Sequence, residues 1–590
     1  MLDGSPDEGE PVDVDLARGE FAVLFSEPAL RSSSHLNFYR DGRIALHVKY
    51  IPMRGGFVLN DFADGAWGEQ IFVDCLIVPG SAGLHMTLAA PDDGPEIRFR
   101  GAPVVTLGDR FDLGGTMTAR LHPSIIRNAP EGRGPRGSAA SLMPSVIKMT
   151  TIEAANLELG VDVTVTTSSA FFIEGWIDDR RSRLVGVSMV DYATGLRAQL
   201  PIGRVRRQDV DTHLQAARPG EFGFWVAGLG GAQQLSGAAL SLVLEDGSGV
   251  PLEPKVGFRR SELDFFEFLL ASFGRRSVLG NITVRSFSDL EAGYGDMLGK
   301  LYRQIATERR VTSHARFGRR RAAPSLSMVC VLFGYPDFLY LLVSQFARFG
   351  SLEGIEFIFV NNSPELEEVL MRDAELASFV FGAEIQVLSL NQNSGFSHAN
   401  NVGVGAARSG KIVIINPDVF PRHKAAVDHL RGLCARDLGR DIYGGKLYYA
   451  DGSVMHEGMY FTQDRKLSVM CDAPIWTVEH FRKGFADTSS PAPRDVPAVT
   501  GALMVMERHS FERLGGFNVD FIFGHYEDAD LCLRIQEAGG RVILDPGLAY
   551  WHYEGMGSTK RPEHIGSNMY NRWHFARLWG HRITEQHEHG

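Results

Sequence analysis

From residue 326 onward, branched-aliphatic runs alternate with helical segments. "SMVCVLF" precedes a helix near 338–349, "IEFIFVNN" one near 364–378, "EIQVLSL" one near 396–408, and "KIVIIN" supplies a fourth run. Runs without polar alternation suit strands buried on both faces. Alternating strands and helices imply a mostly parallel sheet with helices on both faces. Ligands of such sheets collect at the carboxyl ends of strands, so chemistry is to be sought where each run stops.

The rest of the chain reads differently. A length of 590 residues exceeds one hydrophobic core, so several domains are expected. Residues 1–18 read as disordered. Residues 19–150 carry short β-like runs separated by Gly, Asp and Pro, the texture of a β-sandwich, and end in a linker over 126–150. A second β-rich block follows over 151–294, read as an immunoglobulin-like spacer. The arginine-rich stretch 295–325 reads as a solvated helix and linker, with phosphate or membrane contact as its alternative use. The last segment, 557–590, is an aromatic, basic helix that packs on the preceding domain or touches the acceptor, a lipid carrier or a membrane surface. In the packing reading, Tyr570, Trp573 and Leu578 share a face.

Charge and cysteines exclude some classes. A net charge of −11 argues against a nucleic-acid binder. The five cysteines are scattered and include no C-x-x-C pair, which suggests reduced thiols rather than disulfides or a zinc knuckle. The acidic amino terminus lacks the apolar core of a signal peptide, and no run reaches the roughly 18 apolar residues of a spanning helix. A cytoplasmic protein, with peripheral contact at the inner face of a membrane, is expected.

Polar residues gather at the strand ends. The first run ends at Phe333-Gly334-Tyr335 and the second at Asn361-Asn362-Ser363. Asn393-Ser394-Gly395 opens a helix whose free N–H groups suit a diphosphate, and Asn400-Asn401 lie one turn inside it; the alternative is a capped helix with small residues for packing. The fourth run stops at Asn416-Pro417-Asp418, where a carboxylate beside a phosphate-friendly helix suits a hard divalent cation. Further on, Glu527, Asp528 and Asp530 crowd the first turn of a helix. Three acids within four residues exceed what capping requires, and one of them can serve as general base. His552 closes the short run "LAYWH".

In this order, N-x-G-F…A-N-N, N-P-D, G-A-L-x-V, L-G-G-F, E-D-A-D-L-C-L-R, A-G-G and W-H over 326–556 resemble family 2 glycosyltransferases of the GT-A fold. The resemblance implies an α/β, Rossmann-like domain and an inverting transfer from a nucleotide-diphospho-sugar with Mg²⁺ or Mn²⁺. It places Asp528 as catalytic base and Asp418 and His552 at the metal. Phe333, Tyr335, Asn361, Asn393, Gly395, Asn400 and Asn416 fall on the nucleotide-sugar side, and Gly501, Glu527 and Asp530 on the acceptor side. Asn416 replaces the first Asp of the family's D-x-D, and Asn361-Asn362 replaces its Val-Asp-Asn or Val-Asp-Asp, so both UDP- and dTDP-linked donors fit. The acceptor implied is a growing glycan or lipid-linked glycan.

The stretch 43–74 resembles the centre of galectins, with His47, Asn60 and Trp67 on lectin-site positions. Lys49, Ile51, Gln70 and Phe72 stand where galectins have Asn, Arg, Glu and Arg. The whole chain then reads as two β-sandwiches, a GT-A domain and a short helical carboxyl terminus. The competing reading is a non-catalytic carbohydrate-binding protein with a decayed transferase domain. A nucleotidyltransferase is disfavoured, because no G-x-G-T-R-type loop follows the first run.

Overall fold

The apolar runs become strands of one sheet. Leu326–Leu332 pairs in parallel with Ile355–Asn361 and with Lys411–Ile415, and Ile355–Asn361 pairs in parallel with Glu384–Leu390. Every residue of Ile355–Asn361 is buried, as a strand covered on both faces demands. Beyond Lys411–Ile415 the order continues through antiparallel Leu503–Glu507 to Ile442–Tyr448, Val542–His552 and the short Val419–Pro421. The sheet is therefore mixed, in an α/β arrangement. Phe338–Ala347, Glu367–Phe381 and Lys424–Cys434 contribute to one hydrophobic layer through Leu342, Leu370 and Leu430. Gly395–Ala406, Glu527–Glu537 and Glu563–His589 contribute to the other through Val404, Leu531 and Phe575.

One carboxylate interrupts this apolar interior. Glu356 is fully buried and is answered by Ser327 Oγ at 2.6 Å, Gln386 Nε2 at 2.8 Å and Arg408 Nε at 2.5 Å. A charge removed from water is tolerable only when paired and hydrogen-bonded, and Glu356 meets both conditions.

The protein is described from a computed structural model over residues 158–590, except 201, 217–219, 255–257, 278–281, 320–322, 470, 489–490, 556–562 and 590, together with ten backbone strands between 12 and 121. Those ten strands pair into a six-stranded and a four-stranded sheet. Val12–Asp15, expected to be disordered, pairs with Thr116–Leu121. His47 pairs with Asn60 in register, and Trp67 lies on the adjoining strand, Ala66–Asp74. The side chains of these lectin-site positions, and the expected linker 126–150, lie outside the described residues.

The second β-rich block forms two sheets that share a core through Phe171, Ile173, Val187 and Leu242. Its outer face is not free. Phe172 and Trp225 join Phe266 of helix Glu262–Ser277, Tyr302 of helix Gly295–Ala306, Phe523, and Tyr570 and Trp573 of helix Glu563–His589 in one buried cluster. The block expected as a spacer is thus packed into the α/β domain. Residues 295–325, expected as helix and linker, supply that helix and the strand Val311–Phe317, which extends the sheet edge antiparallel to Glu384–Leu390.

The final helix packs through Tyr570 and Trp573, each 2% exposed, while Leu578, expected on the same face, is 47% exposed. Among the described residues, no helix is long and apolar enough to cross a membrane. Cys330, Cys434, Cys471 and Cys532 are free thiols.

Candidate active site

The residues expected on the nucleotide side lie in loops that follow the parallel strands. Phe333 faces His564 of the final helix at 6.3 Å between ring centroids, and Tyr335 is largely exposed. Asn361 is fully buried and turned inward: Oδ1 accepts from Ser363 N–H at 3.0 Å, and Nδ2 donates to Ser389 Oγ at 3.3 Å. Asn362 instead bonds to the start of the next helix. Its Nδ2 donates to Asn393 Oδ1 at 3.0 Å, and its Oδ1 accepts from Ser394 N–H at 2.8 Å.

These bonds correct one expectation. The helix Gly395–Ala406 was read as offering free N–H groups to a diphosphate. In the structure Ser394 N–H is bonded to Asn362, Gly395 N–H to Asn393 Oδ1 at 3.1 Å, and Phe396 N–H to the Phe523 carbonyl at 2.6 Å. Protein acceptors satisfy those N–H groups, so they do not form an open anion cradle. Asn393 and Gly395 are parts of that cap. Asn400 is buried, with Nδ2 on the Phe396 carbonyl at 3.0 Å and its Oδ1 lacking a partner. Asn401 clamps a distant loop: Nδ2 donates to the Phe517 carbonyl and Oδ1 accepts from Phe517 N–H, both at 2.9 Å.

Asp418 and His552 are brought together by the sheet. The chain leaves Lys411–Ile415, turns at Asn416-Pro417, and pairs Val419 with His552 antiparallel. His552 Nε2 comes to 3.4 Å from Asp418 Oδ1, with both side chains nearly buried. The other imidazole nitrogen, Nδ1, lies 3.3 Å from Met455 Sδ, which leaves Nε2 facing the carboxylate. Half-buried Asn416 stands beside them and donates its N–H to the Ala502 carbonyl at 2.9 Å. Arg422, just past Asp418, is stacked between Tyr448 at 3.9 Å and Trp551 at 4.3 Å, a cation–π sandwich that fastens this strand to the sheet.

The donor chemistry of this pair fits a hard cation. The carboxylate is a suitable ligand for Mn²⁺ or Mg²⁺, which commonly complete their shells with phosphate oxygens and water, and the softer imidazole suits Mn²⁺ better than Mg²⁺. Among the described residues, no group of three or more His, Cys, Asp and Glu converges on one point. Protein ligation would therefore rest on these two residues.

Two neighbours went unnoticed in the sequence. Glu554 receives Lys483 Nζ and Tyr449 Oη, each at 2.6 Å. Burial alone would raise its pKa, but Lys483 and His552 outweigh that and hold it below the ordinary carboxylate range. His456 is fully buried, and burial depresses its pKa to about 3. Its Nε2 accepts from the N–H groups of Gly458 and Thr500, so the neutral ring carries its proton on Nδ1, 2.8 Å from His480 Nδ1. The adjacent His456-Glu457 could have been noticed, but their partners could not.

The base side is the start of helix Glu527–Glu537. Asp528 Oδ2 accepts from Gly501 N–H at 3.0 Å, and Oδ1 from Ala529 N–H at 2.9 Å. Burial raises its pKa, and the Gly501 N–H restrains the rise. Gly501 has no room for a side chain, since a Cβ there would lie 3.1 Å from the Phe396 ring and 3.6 Å from Asp528 Cβ. Glu527 is 5% exposed, its Oε2 is buried without a partner, and burial together with Asp528 pushes its pKa well up. Asp530, expected on the acceptor side, is committed elsewhere: Arg534 Nε and Trp579 Nε1 bond to it at 2.8 and 2.9 Å. The peptide Gly501–Ala502 links the halves, reaching Asp528 with one N–H and Asn416 with the next carbonyl.

No family model matches the chain. It is similar to the O-antigen biosynthesis protein RfbC of Myxococcus xanthus, 24% identical over 40% of this chain and 18% of that protein. It is also similar to the rhamnosyltransferase WbbL of Escherichia coli K12, 25% identical over 27% of this chain and 61% of that one. A third relative is the inactive polypeptide N-acetylgalactosaminyltransferase-like protein 5 of Macaca fascicularis, 22% identical over 39% of this chain and 51% of the other. Among solved structures, GalNAc-T7 with UDP, GalNAc and Mn²⁺ aligns with 15% identity over 41% of this chain and 45% of that one, with a TM-score of 0.30. The chain spans less than two thirds of each of these relatives, and what it shares with them is partial similarity to proteins whose names are those of glycosyltransferases and O-antigen biosynthesis.

Proposed function

We propose that this protein is an inverting glycosyltransferase that moves a sugar from a UDP- or dTDP-linked donor to a hydroxyl of a growing glycan. The observation that carries the reading is the placement of Asp528. Its carboxylate is fixed by two backbone N–H groups and is tied through Gly501–Ala502 to the segment bearing Asp418.

In the reaction, the acceptor hydroxyl attacks the anomeric carbon and transfers its proton to Asp528. A new glycosidic C–O bond forms as the bond from the anomeric carbon to the phosphate oxygen breaks, with inversion. Nucleoside diphosphate leaves with the electron pair. A raised pKa makes Asp528 a stronger base than an exposed aspartate, provided the pH keeps it ionised. Mg²⁺ or Mn²⁺ held by Asp418 and His552 would supply neutralisation of diphosphate charge. Phe333 and Tyr335 line the side where the base of the nucleotide enters, and the loop Gly515–Phe517, clamped by Asn401, walls the acceptor side.

The test is turnover of UDP- and dTDP-linked sugars, with Mn²⁺ or with a chelator. Wild-type protein is expected to release nucleoside diphosphate in a metal-dependent way. Asp528→Asn should lower kcat by about 10²–10⁴, the range for loss of a general base. Unchanged release by Asp528→Asn refutes the base assignment, and chelator-insensitive turnover refutes the metal pair.

A further inference from the structure

The loop before Asp528 adopts a conformation that its residues do not prefer. Phe523, His525 and Tyr526 have φ of 58°, 83° and 73°, in the left-handed region that non-glycine residues avoid. The conformation persists only if surrounding structure imposes it. Within the α/β domain, Phe396 N–H donates to the Phe523 carbonyl at 2.6 Å, and further hold comes from two other helices.

One side chain provides most of that hold. Asn571, in the middle of helix Glu563–His589, is fully buried. Its Oδ1 accepts from Ile522 N–H at 2.7 Å. Its Nδ2 group shares two hydrogens among three carbonyls, those of Ile522 at 2.9 Å, Gly524 at 2.6 Å and His525 at 3.1 Å. His574 and Phe575, three and four residues on and therefore on the same helix face, pack against Phe521 edge-on and against Tyr526 at a tilt, with ring centroids 5.2 Å apart in each pair. From the opposite side, Phe523 N–H donates to Tyr302 Oη at 3.4 Å, and Tyr302 is itself stacked on Phe266. The bend is thus gripped by the last helix and by a helix that joins the β-rich block to the sheet.

We propose that Asn571 is a positioning residue: it sets the left-handed turn at 522–526 and thereby aims Asp528 at the acceptor. The inference rests on Asp528 being the base. Asn571 itself touches backbone only, and the β-rich block and final helix become parts of the catalytic apparatus rather than separable appendages.

The test uses the full-length chain with Asn571→Ala, Asn571→Asp and Tyr302→Phe, read by amide hydrogen exchange over 518–533 and by turnover of the donor found active among UDP- and dTDP-linked sugars. Asn571→Ala should lower kcat about 10- to 100-fold, as for a reacting group misplaced by up to an ångström, with donor KM within about twofold of wild type. Exchange at 522–526 should accelerate while that of the strand Ile355–Asn361 stays unchanged. Asn571→Asp keeps an acceptor for Ile522 N–H but sets a second oxygen against the carbonyls that Nδ2 served, and its loss should be at least that of Asn571→Ala. Tyr302→Phe removes one acceptor and should lower kcat about two- to fivefold with the same KM split. Wild-type exchange at 522–526 in Asn571→Ala overturns the proposal, as does a loss appearing in donor KM alone. If Asn571→Ala unfolds globally, Tyr302→Phe decides, and wild-type exchange and kcat there overturn it. Absence of turnover in the wild-type protein would sink the proposed function instead, while the exchange measurement still decides whether Asn571 sets the turn.

Discussion

Gly501→Ala adds one methyl group at the point where the two halves of the site meet. Gly501 has no left-handed φ, so an alanine is not strained there and the whole effect is spatial. The new Cβ would sit 3.1 Å from the Phe396 ring, so something must yield by a few tenths of an ångström. Phe396 is hard to move: its N–H is bonded to Phe523 and its ring packs edge-on to Phe517 at 5.4 Å. The 500–502 segment therefore shifts, and the 3.0 Å bond from Gly501 N–H to Asp528 lengthens. Overpacking of this kind costs about 1–3 kcal/mol of stability. If 1 Å of misplacement costs about 10² in rate, 0.3 Å costs roughly fourfold in kcat. A second effect has a definite sign. Gly501 N–H stabilises the ionised form of Asp528 against burial, so weakening it raises that pKa further. The acid limb of the kcat–pH profile should move to higher pH, and kcat should recover toward wild type as pH rises. Steady-state kinetics across the acid limb, with a denaturation midpoint for stability, checks both. A variant with wild-type kcat and an unmoved acid limb would refute the role given to this N–H.

Asn401→Ala removes both bonds to Phe517 and leaves a buried N–H and carbonyl unmet, at a cost of about 2–4 kcal/mol. The denaturation midpoint should fall and acceptor KM should rise, and an unchanged acceptor KM would show that the Gly515–Phe517 loop does not wall the acceptor. Glu527 has a raised native pKa, so its relative stabilisation is complete below the ordinary carboxylate range and is lost as pH climbs through the elevated value. Glu527→Gln should therefore gain stability over wild type as pH rises, with the two converging in acid; parallel melting curves across pH would contradict this.

Much of this site could be read from the sequence because it is local. A buried run followed by Asn-Pro-Asp announces a strand end, and acids bunched before an amphipathic stretch announce a helix start. What escaped depends on partners far along the chain. Asn401 finds Phe517, Gly501 finds Asp528, and Asn571 finds Ile522, and no local pattern foretells such pairings. The cap of the helix at Gly395 is hidden for the same reason, since the groups that close its N-terminus come from Asn362 and Phe523 as well as Asn393. Residues 311–317 were hidden by their polarity: an edge strand shows one face to water, so "VTSHARF" alternates instead of forming an apolar run.

The grip of Asn571 on the 522–526 turn also has a bearing on biosynthesis. The ribosome makes the strands, the acidic helix and His552 before it makes the helix that bends the loop beside them. A nascent chain can therefore complete its sheet while Asp528 is still unaimed. On the proposed role of Asn571, activity would become available only when that helix has cleared the exit tunnel and found its seat between two earlier domains. On the same reading, a premature stop shortly before residue 563 would leave every strand of this sheet present and abolish turnover.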